Sequence, residues 1–260
     1  MKKYTVILLF LIAVVFVSII FYSKKNPEFL GQLSYYANLA NPSMRLVRVE
    51  EGSRREEVAE VLMDKLDWDE QDKKNFLRSE TVNVEGRYFP RTYIVYKNEV
   101  PSIVAVDMFD EFSKQVEKIR GQDPKLTIDD NTALKIASII QREAAGKEDM
   151  RLISGIIWNR ISRGMKLQID ATLQYAKGSE EEGWWIEVDP EDKKINSPYN
   201  TYLHKGLPPG AIANPGPDAI FAAFYPQKTD CLFYIHDRNR KIHCTKTYEV
   251  HKKNIEIYLK

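Results

Sequence analysis

From Tyr4 to Tyr22 the chain reads YTVILLFLIAVVFVSIIFY, with no charged residue, no Gly and no Pro. No other stretch restricts the fold as much, because a run this apolar cannot form the outside of a water-soluble domain. Its 19 residues wound as a helix rise roughly 28 Å, about the thickness of a bilayer's hydrocarbon core. Tyrosines close it at both ends, where amphipathic rings favour the membrane interface. A cleaved signal peptide is the competing reading, but its apolar region is shorter and ends in small residues. Here the run continues into SIIFYSKK, so the expectation is an uncleaved anchor. Lys2, Lys3 and the amino terminus oppose Lys24 and Lys25, which tilts the expected topology towards a cytoplasmic N-terminus and an extracytoplasmic body.

The chain of 260 residues is long enough for one moderate domain and an accessory piece. Lys and Arg number 38 against 37 Asp and Glu, a net charge of +1. That balance lacks the basic footprint of a nucleic-acid binder, and no nucleic-acid partner is expected. Lys193-Lys194 and Lys252-Lys253 read as solvated faces. The two cysteines, Cys231 and Cys244, flank LFYIHDRNRKIH, a strand–turn–strand pattern. A turn centred on Asp237-Arg238 sets them opposite each other. A disulfide and two separate, partly buried thiols fit that arrangement equally well. The four histidines, His204, His236, His243 and His251, form no helical pair of ligands, so neither a metal nor a cofactor is expected.

Periodicity divides the chain into an anchor at 1–23, a polar juxtamembrane linker at 24–43, a small unit at 44–83 and a larger domain at 84–260. In the small unit MRLVRVEEG alternates as a half-buried strand does. Ser53 stands as the N-cap of a helix with Glu56 as its box partner. A second short helix covers about 69–77. Beyond it come a strand-like stretch at 84–98 and an amphipathic helix at 100–120 begun by Pro101 or Ser102. A helix capped within Asp129-Asp130-Asn131 and stopped by Gly146 follows, then another ending at Gly164. Long loops, a hairpin and a helix from Tyr248 to Leu259 complete an α+β fold, with the loops after residue 165 as walls of a cleft.

KIASIIQREAAG, residues 135–146, poses the sharpest question. Ile136, Ile139 and Ile140 share one helical face, and Glu143 follows them at i+7, i+4 and i+3. Such an acid has a structural partner, or sits at the edge of the stripe and reaches water, or is kept protonated for chemistry. Downstream, LQIDATLQYA sets Gln168, Asp170 and Thr172 at alternate positions, one face of an extended chain. SPYNTYLHKGLPPGAIANPGPDAI is dense in Pro and Gly, and its Tyr199, Asn200, Thr201 and Tyr202 offer rings and hydrogen-bonding groups suited to sugars. A well-braced surface loop is the plain alternative.

At EGRYFP (85–90), IASIIQREA (136–144), LQIDAT (167–172) and YNTYLHKGLPPGAIANPG (199–216) the sequence resembles the endolytic murein transglycosylases, the YceG-like family of bacterial membrane-anchored enzymes. WNRISRGMKLQ (158–168) extends the likeness, which runs from about Arg45 to the C-terminus. The resemblance implies that Glu143 is the catalytic acid and that 44–83 is a LysM-like subdomain before a mixed α/β catalytic domain. It further implies cleavage of the β-1,4 bond between N-acetylmuramic acid and N-acetylglucosamine in nascent glycan strands, with strand termination as the outcome. Peptidoglycan and the cell-wall synthases are the implied partners. Departures are Gln141, where the family commonly has Glu, Ile169 and Ala171, where it often has Thr and Pro, and Ile242, where a hairpin histidine is common.

In such a reaction one acid protonates the glycosidic oxygen and, as a carboxylate, deprotonates the C6 hydroxyl that closes a 1,6-anhydro ring. The nucleophile is intramolecular, so no separate molecule has to be positioned. Gln168, Asp170, Thr172, Tyr199, Asn200 and Thr201 are candidates for holding the sugar. Two alternatives stay open. A hydrolase could use Glu143 and Asp170 as a carboxylate pair. A non-catalytic glycan-binding scaffold would instead lock Glu143 in a salt bridge, with Arg142 or Arg160.

Overall fold

The computed structural model describes residues 14–15, 17–19, 21–26, 28, 31, 34, 40–78, 84–123 and 127–259. Residues 4–13, 16 and 20 of the apolar run, and half of the linker at 24–43, lie outside the described residues. Among those described, 14–15, 17–19 and 21–25 are helical, and no helix is long and apolar enough to cross a membrane.

Two small antiparallel sheets and eight helices of at least two turns make up the described α+β body. Strand β1 (Met44–Arg48) pairs with β2 (Thr92–Tyr96), Met44 opposite Tyr96 and Arg48 opposite Thr92. Alternation turns Val47 and Val95 into the first core and leaves Leu46 and Tyr96 on the outer face. Helices α1 (Arg55–Lys65) and α2 (Glu70–Leu77) connect the two strands. Val58, Ala59, Leu62 and Phe76 pack beneath the sheet with Tyr88. The sheet of this unit therefore takes its second strand from beyond residue 83.

Helix α1 begins one residue later than its sequence suggests. Arg54 is the N-cap, and its N–H donates to Glu57 Oε2 at 2.8 Å. The Ser53 carbonyl is engaged elsewhere, accepting from the backbone N–H of Asn214 at 2.8 Å and from its side chain at 2.9 Å. Asn214 is fully buried and also receives the Tyr88 N–H on Oδ1. So the second half of the Pro- and Gly-rich loop is no cleft wall. Ala211 to Asn214 run through the interior, made tolerable by these bonds and by Ile212 N–H donating to Ser138 Oγ at 3.0 Å.

Helix α3 (Pro101–Arg120), with Pro101 in its first turn, spans both cores. Val104, Ala105 and Met108 face the first, Phe112, Val116 and Ile119 the second. Helix α4 (Asp130–Glu143) is capped by Asp129, whose carboxylate accepts from Thr132 N–H at 2.9 Å. Ile136, Ile139 and Ile140 are fully buried, each contributing roughly 2 kcal/mol. The helix ends at Glu143, short of Gly146, because the chain turns extended at Ala144. Gly146 instead precedes α5 (Lys147–Ser162).

Residues 170–177 are helical, not extended: α6 (Asp170–Lys177) starts where the Ile169 carbonyl accepts both the Thr172 N–H and its Oγ1, the latter at 2.7 Å. A short 3₁₀ turn (Pro190–Lys194) and α7 (Pro217–Phe224) follow, α7 packing on α4 and α5. The hairpin β3 (Phe233–His236) and β4 (Ile242–Thr245) leads into α8 (Tyr248–Tyr258). Its register sets His236 opposite Ile242 and Tyr234 opposite Cys244, so the turn centres on Asn239 rather than Asp237-Arg238. Cys231 and Cys244 form a disulfide with a Cα–Cα distance of 5.7 Å. It ties β4 to the residue two before β3 rather than joining facing positions.

Candidate active site

Glu143, the last residue of α4, meets two other elements. Tyr234 of β3 donates its hydroxyl to Glu143 Oε2 at 2.6 Å. The backbone N–H of Ala171, in the first turn of α6, donates to the same carboxyl group. A helix N-terminus favours an anion there. Burial nevertheless outweighs these donors and raises the Glu143 pKa above the ordinary carboxylate range. Tyr234, Ala171 and the charge of His236 pull it down, while Asp170 pushes it up. Part of Glu143 remains exposed. It is thus a poised acid with access to solvent.

The acid in the apolar stripe has no salt bridge among the described residues. Both arginine candidates are committed elsewhere. Arg160 donates from Nε to the Leu232 carbonyl at 2.6 Å and from Nη1 to the Leu167 carbonyl, with its guanidinium over the Phe233 ring. Arg142 stacks over Trp185 at 3.7 Å. Tyr234 is partly buried beside Glu143, and the loss of solvation and the neighbouring carboxyl group raise its phenol pKa well above 10, so it stays a donor throughout the useful pH range.

The other candidate residues divide into three groups. Asp170 opens α6 on the exposed side and accepts from Tyr202 OH at 2.6 Å; with Glu143 it makes a carboxyl pair whose members each hold a tyrosine hydroxyl. Gln168 is exposed at φ 51°, and its N–H donates to the Thr201 carbonyl. Thr172, Asn200 and Thr201 are buried. The Thr172 and Thr201 hydroxyls lie 2.9 Å apart, and Thr201 Oγ1 accepts from Ile169 N–H at 3.0 Å. Asn200 donates to the Lys193 and Ile195 carbonyls and accepts from Tyr202 N–H. These three lock the 197–204 loop to the start of α6 and so fix Asp170 and Tyr202. Tyr199 packs on Tyr175 with ring centroids 4.7 Å apart, in a separate cluster around Glu85 and Arg54.

Sequence reasoning missed Tyr234 and His236 as neighbours of Glu143, and it named Tyr202 without giving it a place among the sugar-holding candidates. Tyr202 stood in a stretch already singled out, whereas Tyr234 and His236 share a strand face only once the hairpin register is known. The adjacent His243 points the other way, with Nε2 2.9 Å from Asp237 and its ring stacked on Tyr258. No cluster of three or more metal-ligating side chains occurs among the described residues. A cavity of about 600 Å³ under Arg87, Phe109 and Phe112 contains none of the candidate residues.

The family model of the YceG-like family matches residues 23–257. A curated relative from Bacillus subtilis, named endolytic murein transglycosylase, is 35% identical over 178 residues, 68% of this chain and 48% of that protein. One of the same name from Streptococcus pneumoniae serotype 2 is 30% identical over 174 residues, 66% of this chain and 32% of that protein. The chain thus spans between about a third and a half of the length of these curated relatives. The crystal structure of a YceG-like protein from Listeria monocytogenes superposes with a TM-score of 0.64 at 26% identity, covering 80% of this chain and 74% of that one. With its matched segment running from the end of the apolar stretch to within three residues of the C-terminus, the chain belongs to the YceG-like family.

Proposed function

We propose that this protein is an endolytic peptidoglycan transglycosylase with Glu143 as its acid and base. The observation that carries the reading is a carboxyl group raised in pKa by burial, without an ion pair among the described residues, and held by the Tyr234 hydroxyl 2.6 Å away. A neutral carboxylic acid can protonate a glycosidic oxygen, and the carboxylate it leaves can accept a proton from the C6 hydroxyl of the muramoyl unit. Attack of that hydroxyl on C1 forms the 1,6-anhydro ring without water. The names of the curated relatives support this chemistry.

The wider setting belongs to the same proposal. The apolar run at 4–22 anchors the chain in the cytoplasmic membrane, and the disulfide fits an oxidising, extracytoplasmic site for the body. The strand–helix–helix–strand unit serves as a LysM-like subdomain that holds glycan. Cleavage falls on the muramoyl–glucosaminyl bond of nascent strands, ending their growth beside the synthases that make them.

A second reading rests on Asp170. Its charge acts on Glu143, and a two-carboxylate hydrolase would use such a neighbour as its second carboxylate. The products decide between the two. Peptidoglycan incubated with the full chain, and separately with Glu143→Gln, is read by mass spectrometry. Ends carrying 1,6-anhydro-muramic acid from the parent alone establish the transglycosylase. Reducing muramoyl ends make the protein a hydrolase, and equal inertness of two folded proteins leaves a glycan-binding scaffold.

A further inference from the structure

Within EGRYFP, residues 85–90, every residue is buried except Arg87, which is half-buried. The turn is fixed on both sides of it. Gly86 stands at φ 88°, and a Cβ there would meet Ala211 Cβ at 2.8 Å and Leu134 Cδ1 at 3.0 Å. On the other side the Tyr88 N–H is held by Asn214 Oδ1. The Arg87 guanidinium lies over the Phe109 ring, 5.6 Å from its centre. Its Nε is buried without a hydrogen-bond partner, and the side chain forms no ion pair among the described residues. A buried N–H left unpaired is costly and rare in native structures, so this one asks for an acceptor.

Arg87 and Phe109 both line the cavity of about 600 Å³ between α3 and the start of α4, a size that suits a small ligand. Phe112, Val116 and Leu134, all buried in the larger core, give it an apolar floor. Much of the polar rim is already satisfied. Arg120 pairs with Asp130 at 3.3 Å, and Ser113 Oγ donates to the Phe109 carbonyl at 2.9 Å. Glu117 is exposed and belongs to no ion pair among the described residues. The cavity thus offers a cation without an anion, a carboxylate without a donor, and an apolar surface. Leu134 and Glu143 stand nine residues apart on α4 and so on opposite sides of it. This site is separate from the candidate active site.

We propose that this cavity binds the C-terminal end of an apolar peptide, its terminal carboxylate paired with Arg87, its last side chain on Phe112, Val116 and Leu134, and a peptide N–H donated to Glu117. A guanidinium and a carboxylate match as planar, two-pronged partners. The lining carries Glu117, Asp123 and Asp130 against Arg87 and Arg120, and that excess of acid disfavours phosphate and other multiply charged anions. A neutral apolar molecule would leave Arg87 Nε unpaired. A single carboxylate on an apolar body answers both constraints, and the N–H beside it, which a plain fatty or aromatic acid lacks, answers Glu117. The proposal stands whether or not Glu143 cleaves glycan.

Equilibrium dialysis of the full chain tests it with three probes: N-acetyl-leucine, N-acetyl-leucinamide and the peptide acetyl-alanyl-alanyl-leucine. The acid is expected to bind, and the amide, which lacks the charge, to bind roughly 10- to 100-fold more weakly. The peptide is expected to bind more tightly than the acetylated amino acid. Arg87→Met keeps an unbranched chain over Phe109 and should erase the preference for acid over amide. Ser113→Trp, at an exposed position of the rim, should block all three probes and serves should the first variant not fold. Equal binding of acid and amide by the parent overturns the proposal, as does acid binding unchanged in either folded variant, or no binding of any probe. Equal affinity for acetyl-leucine and the peptide overturns the peptide end and leaves a site for small acids. Anhydro-end formation by Arg87→Met is expected at the parent's rate, so this proposal and the transglycosylase reading are judged separately.

Discussion

At Glu143 a few contacts set the direction of the pH effects expected of the candidate acid. Burial favours the neutral acid, and the Tyr234 hydroxyl opposes it by donating to the charged form. Tyr234→Phe removes that donor and leaves the ring in place. The Glu143 pKa then rises further, so the alkaline limb of activity shifts to higher pH, while loss of orientation lowers kcat on the order of tenfold. Initial rates of anhydro-end formation across pH check this; a limb that stays where it is, or moves to lower pH, refutes the assigned hydrogen bond. The same residue marks what the sequence could reveal. Glu143 was legible because three isoleucines at helical spacing define the face it violates. Tyr234 was not, since nothing local to LFYIHD says which strand face meets a helix end some 90 residues earlier in the chain.

At the scale of elements, caps and turns account for most differences between expectation and structure. The stripe of α4, its Asp129 cap and Pro101 at the head of α3 were all readable from local chemistry. The true start of α1 was not, because the Ser53 carbonyl is claimed by Asn214, 161 residues away. The N-terminus of α1 also holds a second buried acid, Glu85, which accepts from Arg55 N–H at 3.0 Å, Gly86 N–H at 3.2 Å and Tyr175 OH at 3.3 Å. Desolvation is the main cause raising its pKa to about 7, with Glu56 adding to it and Arg54 and Arg55 opposing. Because the folded pKa lies above that of an unfolded carboxyl, this group's favourable contribution is complete below the unfolded value and is lost as pH rises through about 7. The size is on the order of 3 kcal/mol. Glu85→Gln keeps an acceptor and removes the ionisation. Urea unfolding at about pH 5 and about pH 8 should therefore show a smaller pH dependence in the variant than in the parent. Equal dependence in both proteins would mean that Glu85 does not ionise in this range.

Across the whole molecule, the strand–helix–helix–strand unit and the larger body are joined through shared structure rather than a linker. Helix α3 contributes Met108 to one core and Phe112 to the other, one turn apart. The buried segment from Ala211 to Asn214 closes the joint from the other side, and Arg54 stacks on Tyr175 at 4.1 Å. A unit of this size buries too little apolar surface to be stable alone, so its fold depends on that helix. Met108 is fully buried in the smaller core, and Met108→Ala should remove roughly 2–5 kcal/mol. If α3 couples the cores, the loss lowers the melting temperature of the entire body, and calorimetry of the full chain shows one shifted transition. If the cores are separable, the small unit melts first and a second transition stays at the parent's temperature. The coupled outcome carries a functional consequence: the unit proposed to hold glycan would be rigidly set against the body that carries Glu143, so that, on the proposed function, where a strand is gripped determines where it is cut.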